Sequence, residues 1–135
     1  MTDLTELIER VEKAEGPTYA LFRECYVAVF GEPQFEAPYG GYDAYRKFRT
    51  LLEAGGWTDA AMMLMPKHCS SELTSSAAPA SSPTLKFTRC RLWDWRRGPL
   101  AIDPANEWKS EGNRPLPLNI VAAALKARAA ERANV

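Results

Sequence analysis

At Thr84 the hydrophobic pattern of this chain changes period, and that change limits the folds open to it more than any other feature. Upstream, apolar residues recur at helical spacing. Leu4, Leu7, Ile8 and Val11 form one stripe of a helix over Asp3 to Ala14. Gly16-Pro17 ends it, and Thr18 is placed to cap a second helix that runs to about Phe30, before Gly31 and Pro33. Tyr42, Tyr45, Phe48, Leu51 and Leu52 predict a third over Asp43 to Ala54. Thr58 is placed to cap a short fourth, "DAAMMLM", stopped by Pro66. Downstream, Leu85 and Phe87 alternate with Lys86 and Thr88, the two-residue period of a strand. The apolar phase then moves to Cys90 and Leu92, which predicts a bulge near Arg89. "GPLAI" and "NEWKS" read as further short strands. Pro117 opens a final helix with Leu118, Val121, Ala122 and Leu125 as its buried stripe. Lys126, Arg128 and Arg132 lie toward its C-terminal end, where cations suit the helix dipole. Helices, a short meander and a last helix predict an α+β fold: a small antiparallel sheet over about 84–110, packed with the N-terminal helices and the C-terminal helix.

With 135 residues the expectation is one domain. The segment "CSSELTSSAAPASSP", 69–83, is rich in small residues and proline, and reads as a mobile loop within it. The second helix is apolar on two sides. Tyr19, Phe22, Tyr26 and Phe30 follow one, and Leu21, Cys25 and Ala28 another. The sheet and first helix cover one side, so the aromatic side predicts a homodimer with Phe22 or Tyr26 near its centre.

Lys and Arg number 17 and Asp and Glu 17, giving zero formal charge. No global field therefore draws the chain to nucleic acid or to an anionic membrane. Cys25, Cys69 and Cys90 are odd in number and widely spaced, which speaks for reduced thiols rather than a disulfide framework or a zinc site. "MTDLTELIERVEK" is charged and helical, unlike a signal peptide, and no apolar run approaches the roughly 18 residues of a membrane span. A cytoplasmic protein is the expectation.

Catalytic signals are absent from the pattern. His68 is the one histidine and stands beside the small-residue segment, a poor place for a base or a metal ligand. No glycine-rich phosphate loop occurs. Glu6, Glu9, Glu12 and Glu15 read as the solvated side of the first helix. No catalytic residue, metal ligand or cofactor is assigned, and a small hydrolase is the least favoured reading.

The loudest local feature is "RLWDWRRG". From Lys86 to Arg97 there are five cations (Lys86, Arg89, Arg91, Arg96, Arg97) against Asp94. In a strand, Arg91, Trp93 and Trp95 project from one face and Leu92, Asp94 and Arg96 from the other. The tentative binding set is therefore Arg89, Arg91, Trp93, Trp95, Arg96 and Arg97. Three readings stand open: tryptophans that cover the protein's own core, an interface where Trp and Arg concentrate the binding energy, or a platform that stacks nucleotides or single-stranded nucleic acid.

Three stretches together carry a resemblance: "LTELIERVEKAEGP", "DAAMMLMP" and "EWKSEGNRPLPLNIVAAALKARAAE". In this order they resemble small phage and prophage proteins of unknown function from alphaproteobacteria, some similar in layout to the phage ABA sandwich domain. The chain departs from that pattern at Leu116, where a threonine cap is usual, and at Lys67-His68, where Gly-Trp is usual. The resemblance implies an α+β fold and a phage origin, and carries over no catalytic residue. By analogy it implies an accessory protein in a bacterial host, acting by binding, with a host-defence or regulatory protein as partner.

Overall fold

In the computed structural model the described residues are 4–32, 41–67, 69–75, 87–94 and 107–133. In chain order they form α1 (Leu4–Lys13), α2 (Tyr19–Phe30), α3 (Gly41–Glu53), α4 (Trp57–Met62), β1 (Cys69–Ser75), β2 (Thr88–Asp94), β3 (Glu107–Gly112) and α5 (Leu116–Ala133). The fold is α+β, with five helices and a three-stranded antiparallel sheet in the order β1-β2-β3 among the described residues.

The helices start and stop where local chemistry directs. The Thr18 side chain accepts the Leu21 N–H at 3.2 Å and caps α2. Gly31, at φ +83°, closes it with its N–H on the Val27 carbonyl. α4 begins at Trp57 with Gly56 as its cap, so Thr58 lies in its first turn rather than before it.

α5 is the centre of the molecule. Leu118, Ile120, Val121, Leu125 and the alanines between them are buried on every side, a wider set than the expected stripe. The alanines explain this: small side chains let α1, α4, β2 and β3 approach one helix from several directions. Its basic residues serve other elements. Arg132 Nη2 donates to the Ala28 carbonyl in the last turn of α2 at 2.6 Å. Arg128 Nε and Nη2 donate to the Leu64 and Met65 carbonyls beyond α4, at 3.2 and 3.3 Å. Helix ends leave carbonyls without intrahelical partners, and the α2 end finds one on α5.

Three expectations are corrected. First, 69–75 is not loop but β1, paired along its whole length from Cys69↔Asp94 to Ser75↔Thr88. Small polar side chains carry no apolar alternation, so an edge strand held by its backbone reads as low complexity. Residues 76–83 lie outside the described residues. Second, no bulge interrupts β2 near Arg89; its pairing with both neighbours is continuous. The inward row is Thr88, Cys90 and Leu92. Thr88 is polar but buried, which hid the true phase.

Third, the aromatic side of α2 is covered within one chain. Phe22 is 0% exposed and Tyr26 is buried. The Phe22 ring meets Trp57 edge-on at 5.2 Å, and Tyr26 packs on Tyr45 and Phe48 at 5.4 and 4.8 Å. α3 and α4 supply the layer that had been expected from a second subunit. Only Tyr19 and Phe30, at the two ends of α2, remain exposed, and Arg128 lies over the Phe30 ring at 5.3 Å. Phe22 and Tyr26 are therefore removed as interface residues.

Candidate functional site

Thr88, Cys90 and Leu92 of β2 are buried and α5 packs on this strand, so the alternate row, Arg89, Arg91 and Trp93, lies on the opposite, outer face of the sheet. This matches the expected split of Arg91 and Trp93 from Leu92. The Arg91 guanidinium lies over the Trp93 ring at 4.9 Å, a contact that two residues on the same strand face can make. Trp95, Arg96 and Arg97, with Lys86, lie outside the described residues, as do His68 and the "GPLAI" segment.

The flanking strands neutralise the cations. Register places Glu72 opposite Arg91 on one side and Lys109 on the other; Arg89 faces Glu111, and Trp93 faces Glu107. Arg91 Nε contacts Glu107 Oε1 at 2.6 Å, and Arg91 Nη1 lies 3.5 Å from Glu72 Oε1. Arg89 reaches Glu72 at 3.7 Å and Glu111 at 4.0 Å, while Lys109 pairs with Glu111 at 3.4 Å. Three cations thus meet three carboxylates across three strands. The local positive charge read along the sequence is cancelled in space over this part of the face.

This lattice sets the protonation of its members. The hydrogen bond from Arg91 holds the Glu107 carboxyl below the usual carboxylate range, and the same bond raises Arg91. Because the folded carboxyl titrates lower than the unfolded one, near 4.3, its contribution to stability is present above that pH and is lost as pH falls through the folded value. We expect Glu107 to titrate below an ordinary glutamate in an NMR pH series, and Arg91→Met to move it back up. An unchanged midpoint in the variant would show that Arg91 does not set it.

Two donors in this row, the Trp93 indole N–H and Arg89 Nε, are buried and meet no hydrogen-bond partner among the described residues. A buried unmatched donor costs about 1–3 kcal/mol, so the row carries a local cost that packing elsewhere offsets.

Beneath the sheet lies a second polar group of residues, which the sequence pattern did not single out. Asn119, fully buried near the start of α5, donates from Nδ2 to the Thr88 carbonyl at 3.0 Å and to Thr88 Oγ1 at 2.6 Å. Its Oδ1 accepts the Ser110 hydroxyl at 2.9 Å. The Thr88 hydroxyl donates to the Arg114 carbonyl at 2.7 Å. Arg114 lies 3.6 Å from Glu12, which also faces Lys126 at 3.5 Å, so Glu12 is bound to the fold rather than solvated. The sequence signal was an asparagine between Leu118 and Ile120, an amide in an otherwise apolar helix. Every side-chain group of Asn119 is matched within the chain, so its role is to fix α5 on β2 and β3.

The thiols offer no reactive centre in the core. Burial pushes Cys25 and Cys90 up to about 12. Among the described residues, no group of three or more His, Cys, Asp or Glu could hold a metal ion, and no helix is long and apolar enough to cross a membrane.

What the fold and this face define is an α+β protein with its described helices packed to one side of the sheet and a charge-balanced Arg–Trp row on the other. Compared with family models, with characterised proteins and with solved structures, the chain matches none.

Proposed function

We propose that the protein acts by binding another protein through the outer face of its sheet. The supporting observation is the Arg91–Trp93 pair, set among three cations and three carboxylates that leave this part of the face without net charge. Trp and Arg are the residues that most often dominate protein interfaces. Nucleic-acid surfaces work differently: they hold unneutralised cations that displace counterions from phosphates. Here each described cation of the row already has a carboxylate partner, which favours a protein partner over DNA or RNA.

In this reading the protein is a small phage-encoded accessory protein in the cytoplasm of a bacterial host, with no catalysis of its own and a host-defence or regulatory protein as its target. The phage origin rests on the sequence resemblance.

The test compares the wild type with Arg91→Ala/Trp93→Ala as baits in a host lysate, with labelled single-stranded DNA titrated separately at low salt. The expected result is a partner captured by the wild type and lost with the double variant, at an unchanged circular-dichroism spectrum, and no DNA binding. Binding to DNA that weakens steeply with salt and is lost in the same variant would overturn the protein reading in favour of the nucleic-acid one.

A further inference from the structure

The two edges of the sheet are unlike. At β3, the Lys109 carbonyl accepts the Lys126 ammonium at 2.9 Å, and Lys109 itself adds a charge to the strand. Both are ways in which natural sheets discourage further pairing. β1 has neither. It runs seven residues in continuous register, with no proline, no lysine and no bulge. Its one charge, Glu72, is turned toward Arg89 and Arg91 on β2. Among the described residues no strand pairs with its outer edge. Leu73, one residue past the middle of this strand and on the same side as Cys90, is 39% exposed.

We infer that β1 pairs with β1 of a second copy, antiparallel about a two-fold axis at Leu73, joining the two described sheets into one. Side-chain pairing favours this axis over the one at Glu72, the middle of the strand. Antiparallel neighbours share a face, so the axis must pass through a residue position. Centred on Glu72, the pairing would set two carboxylates opposite each other, which is unfavourable. Centred on Leu73, it sets Leu73 against its own copy, Glu72 against Thr74 and Ser71 against Ser75. The exposed leucines cover each other and no like charges meet. A two-fold axis normal to the sheet keeps both helical layers on one side, and α5 packs chiefly on β2 and β3 rather than on β1. One patch serves both subunits. This moves the dimer expected from the sequence away from α2, whose aromatic side is filled, to the strand that the sequence pattern concealed. It does not engage Arg91 or Trp93 in either copy, so the joint stands independently of the partner proposed for that face.

Light scattering behind size exclusion at tens of micromolar tests it. The expected mass for the wild type is twice the 15.1 kDa of one chain, and Leu73→Lys returns it to a single chain with its melting curve preserved. A second variant reads the axis itself. Opposed antiparallel residues stand about 4.5–5.5 Å apart at Cα, within disulfide range. Leu73→Cys, in a Cys69→Ser background, therefore becomes a covalent dimer on mild oxidation, while Tyr19→Cys in that background does not. A monomeric wild type, or a dimer that survives Leu73→Lys and leaves Leu73→Cys unlinked, overturns the inference.

Discussion

Phe22→Ala is expected to lower the free energy of unfolding by about 3–5 kcal/mol, the usual cost of truncating a fully buried phenylalanine. The side chain has no exposed surface and its ring packs against Trp57. Truncation leaves a cavity between α2 and α4 that the surrounding helices fill only in part. Small domains have about 5–15 kcal/mol in total, so the variant stands near the edge of folding. Phe22→Glu goes further, since a carboxylate placed there has no charge partner, and we expect it not to fold. Urea denaturation of Phe22→Ala checks the first statement. A loss below 1 kcal/mol, or a soluble and folded Phe22→Glu, would mean that this ring faces outward and that the aromatic side of α2 is a surface after all.

Asn119→Ala is expected to cost about 3 kcal/mol. The substitution removes the acceptor of the Ser110 hydroxyl, which keeps only a 3.5 Å contact from Arg114 Nη1, and the donor to the Thr88 carbonyl and hydroxyl, in places closed to water. Stranding a buried polar group costs about 1–3 kcal/mol, and here the Thr88 hydroxyl keeps its bond to Arg114. Removing Ser110 as well should cost less than the sum of the two single changes, because the lost hydrogen bond is then counted once. The full double-mutant cycle by urea denaturation measures this coupling. Additive losses would show that the two side chains do not act as a pair.

How much of this was legible follows the strength of the periodic signals. α1, α2 and α3 announce themselves by apolar spacing and by Thr18 and Gly31, and the structure has them close to the expected bounds. β3 and α5 were likewise visible, and so was the separation of Arg91 and Trp93 from Leu92. β1 was not, because Ser70, Ser71 and Thr74 give the segment no apolar alternation of its own; what holds the strand is its backbone ladder to β2. The phase of β2 was misread for a related reason. Thr88 faces inward for a hydrogen bond, and hydrophobicity cannot express that.

The site was half legible. Arg and Trp stood out along one segment, so charge was summed along the chain. Glu72, Glu107 and Glu111 belong to other segments and cancel that charge only once the strands are aligned. The alternation of Glu107, Lys109 and Glu111 was the available clue, since every second residue of a strand shares a face. Interleaved signs there already indicated ion pairs with an arginine strand. The dimer expectation failed at α2 because it let the sheet and first helix cover one apolar side and omitted α3 and α4, whose Tyr45, Phe48 and Trp57 fill the other.

The central claim is that the outer face of the sheet is where a protein partner sits. A photo-crosslinking amino acid at Lys109, exposed on that face, tests it in host cells, with the same group at Lys13 on the exposed side of α1 as the comparison. The account predicts a discrete crosslinked protein from position 109, lost when Trp93→Ala is added, and none from position 13. Equal crosslinking from both positions, or crosslinking from 109 that persists without Trp93, would contradict it.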